Sequence, residues 1–234
     1  MKAYKKTTTR YFKIIQEKNS NNYTYTISNG GKYLIELVGA GGGGSHKYAN
    51  NTTGSGSGAS GGYFKGIFQL NTGDVLSFTF GVGGAGREET TYTEITASSG
   101  TATTLSINGT LTITANGGGG GYVNGVSYCG QIVINNKDKI VEMISTSGIN
   151  GSYVRGAAYA HPAIDRTLSP FTNTNTGYGS GGGYNSTNGA SSGANGAMRI
   201  ATVSENTSSN YDYYEDITTY KLPKINEKYY GIGG

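Results

Sequence analysis

The chain has 234 residues, of which 41 are glycine, 20 are tyrosine, 3 are proline and 1 is cysteine. Glycine is far above its usual share of about 7%, and charged residues, at 14%, are well below the usual ~25%. The glycines lack the three-residue register of collagen, the single cysteine excludes a disulfide scaffold, and a formal net charge of +4 implies no nucleic-acid partner.

The first segment of the chain is basic, and we predict that residues 1–22 form a solvated N-terminal arm, with an anchor for an acidic partner as the alternative. No apolar stretch of a secretory signal follows it, and no run approaches the ~20 apolar residues of a membrane span. We therefore expect a soluble protein without disulfides that is made in a cytoplasm. The basic residues are Lys2, Lys5, Lys6, Arg10 and Lys13.

Short β-rich segments that alternate with glycine runs make up the next part of the chain. Tyr23–Ile27 and Tyr33–Val38, separated by Asn29-Gly30-Gly31, predict a β-hairpin. Further turn signals, such as Asn108-Gly109, separate the later segments. Many short strands at close spacing predict an all-β sandwich or barrel. The later predicted strands are Tyr63–Leu70, Val75–Phe80, Thr103–Ile107, Leu111–Thr114, Gln131–Asn135, Lys139–Ile144 and Met198–Val203.

Glycine runs lie between these strands, and two structures are open to them: flexible linkers, or extended polyproline-II-type helices packed side by side. Ordering a glycine rather than an alanine costs about 0.5–1 kcal/mol. Ordered glycine runs therefore need many stabilising interactions to offset this loss of conformational entropy. A bundle provides them, because each backbone N–H and C=O finds a partner on an adjacent helix. We therefore predict the bundle. The runs are residues 39–44, 54–62, 81–86, 117–121, 177–183 and 189–196.

One glycine run has the spacing of a dinucleotide-binding loop. Gly39, Gly41 and Gly44 fit G-x-G-x-x-G directly after a predicted strand. That loop needs a helix after it and an acidic residue about 20 positions on. The sequence that follows is rich in Asn, Thr and Gly, and the first carboxylate after Glu36 is Asp74, so we expect no nucleotide site.

The remaining reactive side chains form no catalytic or metal-binding pattern. His46 and His161 lack the spacing of metal ligands and are interpreted as polar loop residues. Cys129 has no neighbouring base and is interpreted as a small buried residue. We expect no enzyme activity, cofactor or metal. Two acidic groups are interpreted as solvated charge; they are Glu88-Glu89 and the cluster Asp212, Glu215 and Asp216.

Tyrosine occurs with Ser, Gly and Asn between the glycine runs, a composition typical of antibody contact loops. Because tyrosine is also a common strand residue, a structural role stays open for Tyr153 and Tyr159. The candidate contact residues are Tyr48, Tyr92, Tyr153, Arg155, Tyr159, His161, Arg166, Tyr178 and Tyr184.

Three ordered stretches carry a resemblance to a known family. They run from Ile27-Ser28-Asn29-Gly30-Gly31 to Gly44, from Gly61-Gly62-Tyr63-Phe64-Lys65-Gly66 to Gly86, and from Ala115-Asn116-Gly117 to Gly121, completed by 189–200. Together they resemble the glycine-rich domain of bacteriophage tail-fibre and adhesin proteins, over about residues 23–203. The resemblance implies a β-sheet body, polyglycine-II helices, and variable loops that contact a bacterial surface receptor. The contact loops would be residues 45–60, 87–102, 122–176 and 184–188.

The resemblance divides the chain into the arm 1–22, a glycine-rich β domain over 23–203 with a long insert at 122–178, and a Tyr-rich tail over 204–234. The insert departs from the family pattern because it is long and contains its own apolar strands, and the tail has no counterpart in that pattern.

We expect a virion attachment protein that is present in multiple copies, contacts other fibre subunits and binds a bacterial surface glycan or outer protein. A structural or decoration subunit of a virion or cell-surface assembly is the alternative. Ice binding is a third hypothesis, disfavoured by scattered tyrosines and lysines.

Overall fold

A computed structural model describes the chain in residues 4–49, 52–89, 96–123, 125–148, 150–151, 153–154, 178–185, 189–205, 210–221, 224–225 and 228–229. The regular secondary structure of these residues is β-strand, with no helix among them, which confirms the all-β prediction. Within the same residues, no helix has the length and apolar character needed to span a membrane.

The strands, in chain order, are β1 Tyr4–Lys18, β2 Tyr23–Thr26, β3 Gly31–Val38, β4 Ser45–Ala49, β5 Thr52–Gly56, β6 Tyr63–Leu70, β7 Val75–Thr79, β8 Arg87–Glu89, β9 Thr103–Ile107, β10 Leu111–Ala115, β11 Ile132–Ile134, β12 Ile140–Thr146, β13 Tyr153–Val154, β14 Tyr184–Asn185, β15 Gly189–Ala190, β16 Ala197–Ser204, β17 Tyr213–Lys221, β18 Lys224–Ile225 and β19 Lys228–Tyr229.

Two antiparallel sheets form a sandwich around the main core. The larger has the strand order β12-β6-β3-β16-β1-β17, and the smaller has the order β11-β10-β9-β7-β2. A single hydrophobic cluster contains Ile35, Phe68 and Ile200 from the larger sheet and Phe78 and Ile113 from the smaller. In β9 and β10, fully buried residues alternate with half-buried ones, because successive side chains point to opposite faces.

The larger sheet curls toward a half-barrel. Arg10 on β1 forms hydrogen bonds of 2.5 and 2.6 Å with Glu142 on β12, although three strands separate β1 from β12 in the sheet. The ammonium group of Lys65 on β6 likewise reaches the carboxylate of Glu215 on β17. The curl encloses a second hydrophobic cluster, which consists of Phe12, Leu34, Ile67 and Ala201.

A buried polar network ties four strands of this sheet together. Glu36 is fully buried and accepts a hydrogen bond from the hydroxyl of Tyr63. Arg199 places Nη1 3.6 Å from Glu36 Oε2, and its Nε is 3.0 Å from Glu17 Oε2. Because a buried charge is tolerated only with partners, these contacts fix the register of β1, β3, β6 and β16.

The prediction of a solvated N-terminal arm is wrong for residues 4–18. Tyr11–Lys18 pair with β16, and Tyr4–Phe12 pair with β17, so β1 lies inside the larger sheet. Two basic side chains of this strand have acidic partners: Arg10 pairs with Glu142, and Lys13 lies 3.7 Å from Asp212. Strand β17 comes from the predicted C-terminal tail and belongs to the same sheet.

The predicted hairpin of residues 23–27 and 33–38 is also wrong. Strand β2 pairs with β7 at the edge of the smaller sheet, whereas β3 pairs with β6 and β16 in the larger. The burial patterns give the reason. Strand β2 alternates half-buried and exposed residues, as an edge requires, while the last six residues of β3 are all buried.

Other local predictions are confirmed. The bounds of β6 and β9 are those expected from the sequence. The turn at Asn108-Gly109 joins β9 to β10, with φ angles of 53° and 70°. These left-handed conformations are the ones that Asn and Gly tolerate, and they match the twist of a tight hairpin.

Candidate binding surface

Residues 39–44, between β3 and β4, are hydrogen-bonded on all sides by backbone groups. Their successive N–H groups donate in turn to three different segments, with N···O distances of 2.9–3.1 Å, and the order repeats every third residue. Their carbonyl groups accept from three further segments in the same way. The N–H groups of residues 39–44 donate to carbonyls in residues 59–62, 98–101 and 191–194. The N–H groups that donate to the carbonyls of this segment lie in residues 84–87, 118–121 and 179–183.

We call this assembly the glycine core; it consists of residues 39–44, 57–62, 82–86, 98–101, 117–121, 179–183 and 191–194. The close approach of backbones excludes side chains at its central glycines. A Cβ atom on Gly41, Gly42 or Gly43 would lie 1.9–2.1 Å from a carbonyl oxygen of a neighbouring segment. Residues 39–44 and 57–60 are buried. The flexible-linker alternative is therefore wrong for these segments.

The glycine core also accounts for the dinucleotide-like spacing. The N–H groups of Gly39, Gly41 and Gly44 donate to the carbonyls of other core segments rather than pointing at a ligand. Strand β4, not a helix, follows Gly44. This geometry has none of the features that position a pyrophosphate.

Segments of the glycine core lead from the sandwich to a small sheet at the other end of the core. We call that region the distal end; it consists of β4, β5, β8, β13, β14 and β15. Strand β4 pairs antiparallel with β5 and parallel with β8, and β5 pairs with β13. The β14–β15 hairpin adjoins them, since the N–H of Ala190 donates to Glu88 Oε1 at 2.6 Å. Parts of the four predicted contact loops therefore meet here. The loop predicted at 122–176 is wrong for β11 and β12, which belong to the two main sheets.

The distal end contains three of the predicted contact residues, Tyr48 in β4, Tyr153 in β13 and Tyr184 in β14. Tyr178 does not join them. It packs against Val38, Tyr63 and Ala197, where the glycine core meets the sandwich, and this contact favours a packing role. The other predicted contact residues, Tyr92, Arg155, Tyr159, His161 and Arg166, lie outside the described residues.

His46 was expected to be a polar loop residue, but it is a buried strand residue. It lies in β4 with 1% of its surface exposed, and its Nδ1 is 2.9 Å from Ser55 Oγ on β5. Burial lowers the pKa of His46, against the opposing charge of Glu88. A histidine beside a serine is also the arrangement of an activated nucleophile. Here both side chains are buried, so we interpret the contact as a structural link between β4 and β5. His161 lies outside the described residues.

Asp212 and Asp216 of the acidic cluster near the C-terminus are exposed, as expected, and both also accept hydrogen bonds. Asp212 accepts a hydrogen bond of 2.7 Å from the N–H of Ile14, and Asp216 accepts one of 2.7 Å from the hydroxyl of Thr9. Cys129 is half-buried, with the side-chain amide of Gln131 3.7 Å from its sulfur. Among the described residues, no group of three or more His, Cys, Asp or Glu side chains is arranged to hold a metal ion.

The convergence of strands at the distal end was not visible in the sequence. Residues 45–49 and 87–89 are far apart in the chain and polar in character, and they pair only because the glycine core brings them together. A partial signal exists, since each follows directly after a glycine run.

Comparisons with known proteins place the chain in a family through its glycine-rich sequence. A search of curated proteins finds no match to it. The model of the family described as "Glycine-rich domain" matches residues 17–211, from the last two residues of β1 to just before β17, and the chain therefore belongs to this glycine-rich domain family.

Proposed function

We propose that this chain is a non-enzymatic attachment protein of a bacteriophage virion, at the tip of a tail fibre, and that its distal end binds a receptor on the bacterial surface. The receptor is a surface glycan or an outer protein. One observation carries the proposal: loops that leave separate segments of the glycine core meet in one small sheet, β13-β5-β4-β8, with the β14–β15 hairpin beside it.

We further propose that the segments of the glycine core are polyglycine-II helices. Such a helix has 3 residues per turn and no internal hydrogen bonds, so its N–H groups point outward in three directions. The three-residue repeat of the bonds made by residues 39–44 is the pattern that this geometry produces. Each helix then depends entirely on its neighbours, which makes the core a rigid support for the loops.

A rigid support favours binding by the loops at its end. Ordering a loop on binding costs free energy, and a loop whose ends are already fixed loses less conformational freedom. Tyrosine provides wide amphipathic contact at low entropic cost, and Tyr48, Tyr153 and Tyr184 belong to strands of the distal end. Several copies on one virion would raise a weak individual affinity through avidity.

The proposal is tested by binding of the fluorescently labelled chain to a broad panel of bacterial strains. We expect saturable binding to a narrow subset of strains. The triple variant Tyr48→Ala, Tyr153→Ala and Tyr184→Ala should lose most of this binding while keeping the far-ultraviolet circular dichroism of the parent. Tyr128→Ala is the matched control, because Tyr128 is 77% exposed and lies beside the glycine core rather than at the distal end.

Two results would count against attachment through the distal end. One is that the folded, labelled chain binds no strain of the panel. The other is that the triple variant and the Tyr128→Ala control bind equally well. A mass measurement on the same samples addresses the alternative role, since a structural subunit would form a stable assembly that tolerates replacement of the distal loops.

A further inference from the structure

The larger sheet extends past the smaller one and leaves part of its core-side face uncovered. Tyr33 lies in the main core and pairs with Thr202 on β16. Thr202 pairs in turn with Lys13 on β1, and Ser204 pairs with Tyr11. Directly paired residues of antiparallel strands project to the same face, so these side chains continue the core face beyond the reach of the smaller sheet.

Aromatic rings gather on this uncovered face. The ring centroids of Tyr11 and Tyr211 are 4.8 Å apart, and those of Tyr211 and Tyr214 are 6.1 Å apart and nearly perpendicular. Tyr211 is 41% exposed and Tyr214 is 56% exposed. Contiguous exposed apolar surface, unlike single scattered side chains, is typical of interaction sites and ligand-binding grooves.

A cavity of about 250 Å³ opens beside the rings. It is smaller than the ~300–1,000 Å³ of sites for drug-sized ligands, so it suits a single small ring. Its lining combines aromatic surface with hydroxyl, amide and ammonium groups, and consists of Tyr11, Lys13, Thr202, Ser204, Asn210 and Tyr211.

The charge at this cavity is balanced within the protein. The ammonium group of Lys13 lies 3.1 Å from Asn210 Oδ1 and 3.7 Å from Asp212 Oδ1. Asp212 is itself held in place, since its other carboxylate oxygen accepts a hydrogen bond of 2.7 Å from the N–H of Ile14. A lysine that already has a carboxylate partner gives no net preference for an anion, so the cavity favours a neutral ligand.

We propose that this cavity binds one ring of a neutral saccharide. A pyranose has an apolar face of C–H groups and a rim of hydroxyl groups. The tyrosine rings take the C–H face, and the amide of Asn210 with the hydroxyl groups of Thr202 and Ser204 meet the rim. This second binding site lies on the sandwich and is separate from the distal end, so it does not depend on the proposed attachment function.

The test is saturation-transfer difference NMR on the full chain with four neutral probes: the methyl pyranosides of glucose, galactose, mannose and N-acetylglucosamine. We expect transfer to the ring protons of at least one probe, strongest on one face of the sugar, with a dissociation constant of about 1 mM. The absence of transfer to all four probes, with the chain folded, would overturn the proposal.

Variants locate the bound sugar. Tyr211→Ala should weaken binding at least about tenfold, because truncating an aromatic contact residue removes most of its contact surface. Tyr211→Phe should keep most of the affinity, since the ring supplies the contact. Tyr128→Ala should leave the signal unchanged. Transfer that survives Tyr211→Ala in full would contradict the site, whereas loss of cell binding alone would concern only the distal end.

Discussion

The interior of the sandwich and the centre of the glycine core, residues 39–44, are both buried, but side chains stabilise the first and backbone groups the second. In the sandwich, large side chains such as Phe68, Phe78 and Ile113 fill the space between two sheets and are 0–1% exposed. In the glycine core, backbones touch directly, and a Cβ on Gly42 would lie 2.0 Å from the carbonyl oxygen of Gly119. The sandwich is sensitive to the loss of side-chain atoms, and the centre of the glycine core is sensitive to their gain.

The two regions also differ in how their stability is distributed. Burying one large apolar side chain contributes about 1.5–3 kcal/mol, so the sandwich gains stability residue by residue. A backbone hydrogen bond contributes a net ~0.5–1.5 kcal/mol, and ordering a glycine costs about 0.5–1 kcal/mol relative to alanine, so one bonded glycine contributes almost nothing. An unsatisfied buried group costs about 1–3 kcal/mol. The glycine core therefore depends on the presence of every neighbouring segment at once.

The largest effect is expected from adding one methyl group at the centre of the glycine core. In Gly42→Ala, the new Cβ would meet the backbone oxygen of Gly119 at 2.0 Å and its carbonyl carbon at 2.4 Å, and neither atom belongs to a flexible side chain. We expect a loss of about 4 kcal/mol or more in the free energy of unfolding, measured in urea.

Gly119→Ala is the matched control within the same core. Its Cβ would lie 3.1 Å from the nearest atom, the carbonyl oxygen of Tyr128, so a small shift accommodates it. We expect a change of at most about 1 kcal/mol. Equal effects of the two substitutions would show that glycine is not needed at position 42 for packing.

The complementary change removes atoms from the sandwich. Phe68 is fully buried in the main core, and Phe68→Ala leaves a cavity that two packed sheets cannot close. We expect a loss of about 3–4 kcal/mol in the free energy of unfolding, determined by the same urea titration. A loss below about 1 kcal/mol would mean that the core is loosely packed at this position.

The sequence predicts the sandwich better than the glycine core because side-chain patterns are local. The strand at 63–70 and the turn at Asn108-Gly109 follow from alternation and from turn chemistry. Strand β1 was missed because Arg10 and Lys13 look solvated until their distant acidic partners are known. A glycine carries no side chain, so nothing in residues 39–44 specifies which six segments surround them.

The distal end was predicted only in part. The contact loops were identified by composition, and Tyr48, Tyr153 and Tyr184 do lie in strands of one region. Their convergence depends on parallel pairing between β4 and β8, a contact between distant segments that no local pattern encodes. The cavity beside Tyr11 and Tyr211 was missed for the same reason, because it joins the two ends of the chain.

A smaller effect, confined to the sandwich, is expected from Asp74. Burial alone would raise the pKa of this carboxylate, but hydrogen bonds from Lys139, Asn71 and Asn108 outweigh burial and hold the pKa below its ordinary value of 3.8. Because the pKa of Asp74 is lower in the folded state, its carboxylate stabilises the fold fully at pH values above the unfolded-state pKa. This stabilisation is lost as the pH falls through the folded-state pKa. Asp74→Asn should cost about 1.5–3 kcal/mol near pH 7.

The pH dependence of this loss of stability is a more specific test than its size at pH 7. The difference in unfolding free energy between the parent and Asp74→Asn should be constant above about pH 5 and should shrink at lower pH. Urea titrations from about pH 3 to pH 7 measure it. A difference that grows as the pH falls would contradict the assigned hydrogen bonds.

The smallest effect is expected from the ion pair that closes the curl of the larger sheet. Arg10 and Glu142 form two hydrogen bonds, but the Glu142 side chain is 49% exposed, so solvent screens the pair. A double-mutant cycle with Arg10→Gln and Glu142→Gln should give a coupling of about 0.5–1 kcal/mol, reduced by added salt. Coupling that is unaffected by salt would indicate a buried pair instead.

Amide hydrogen exchange tests the central claim that backbone hydrogen bonds between segments hold residues 39–44 in the glycine core. The N–H groups of residues 39–44 all donate to carbonyls of other core segments, so they should exchange as slowly as those of Ile35 and Leu37 in the sandwich. Comparable protection in the two regions is the result that we predict. Exchange of residues 39–44 at the rate of an unfolded peptide, while β3 stays protected, would contradict it.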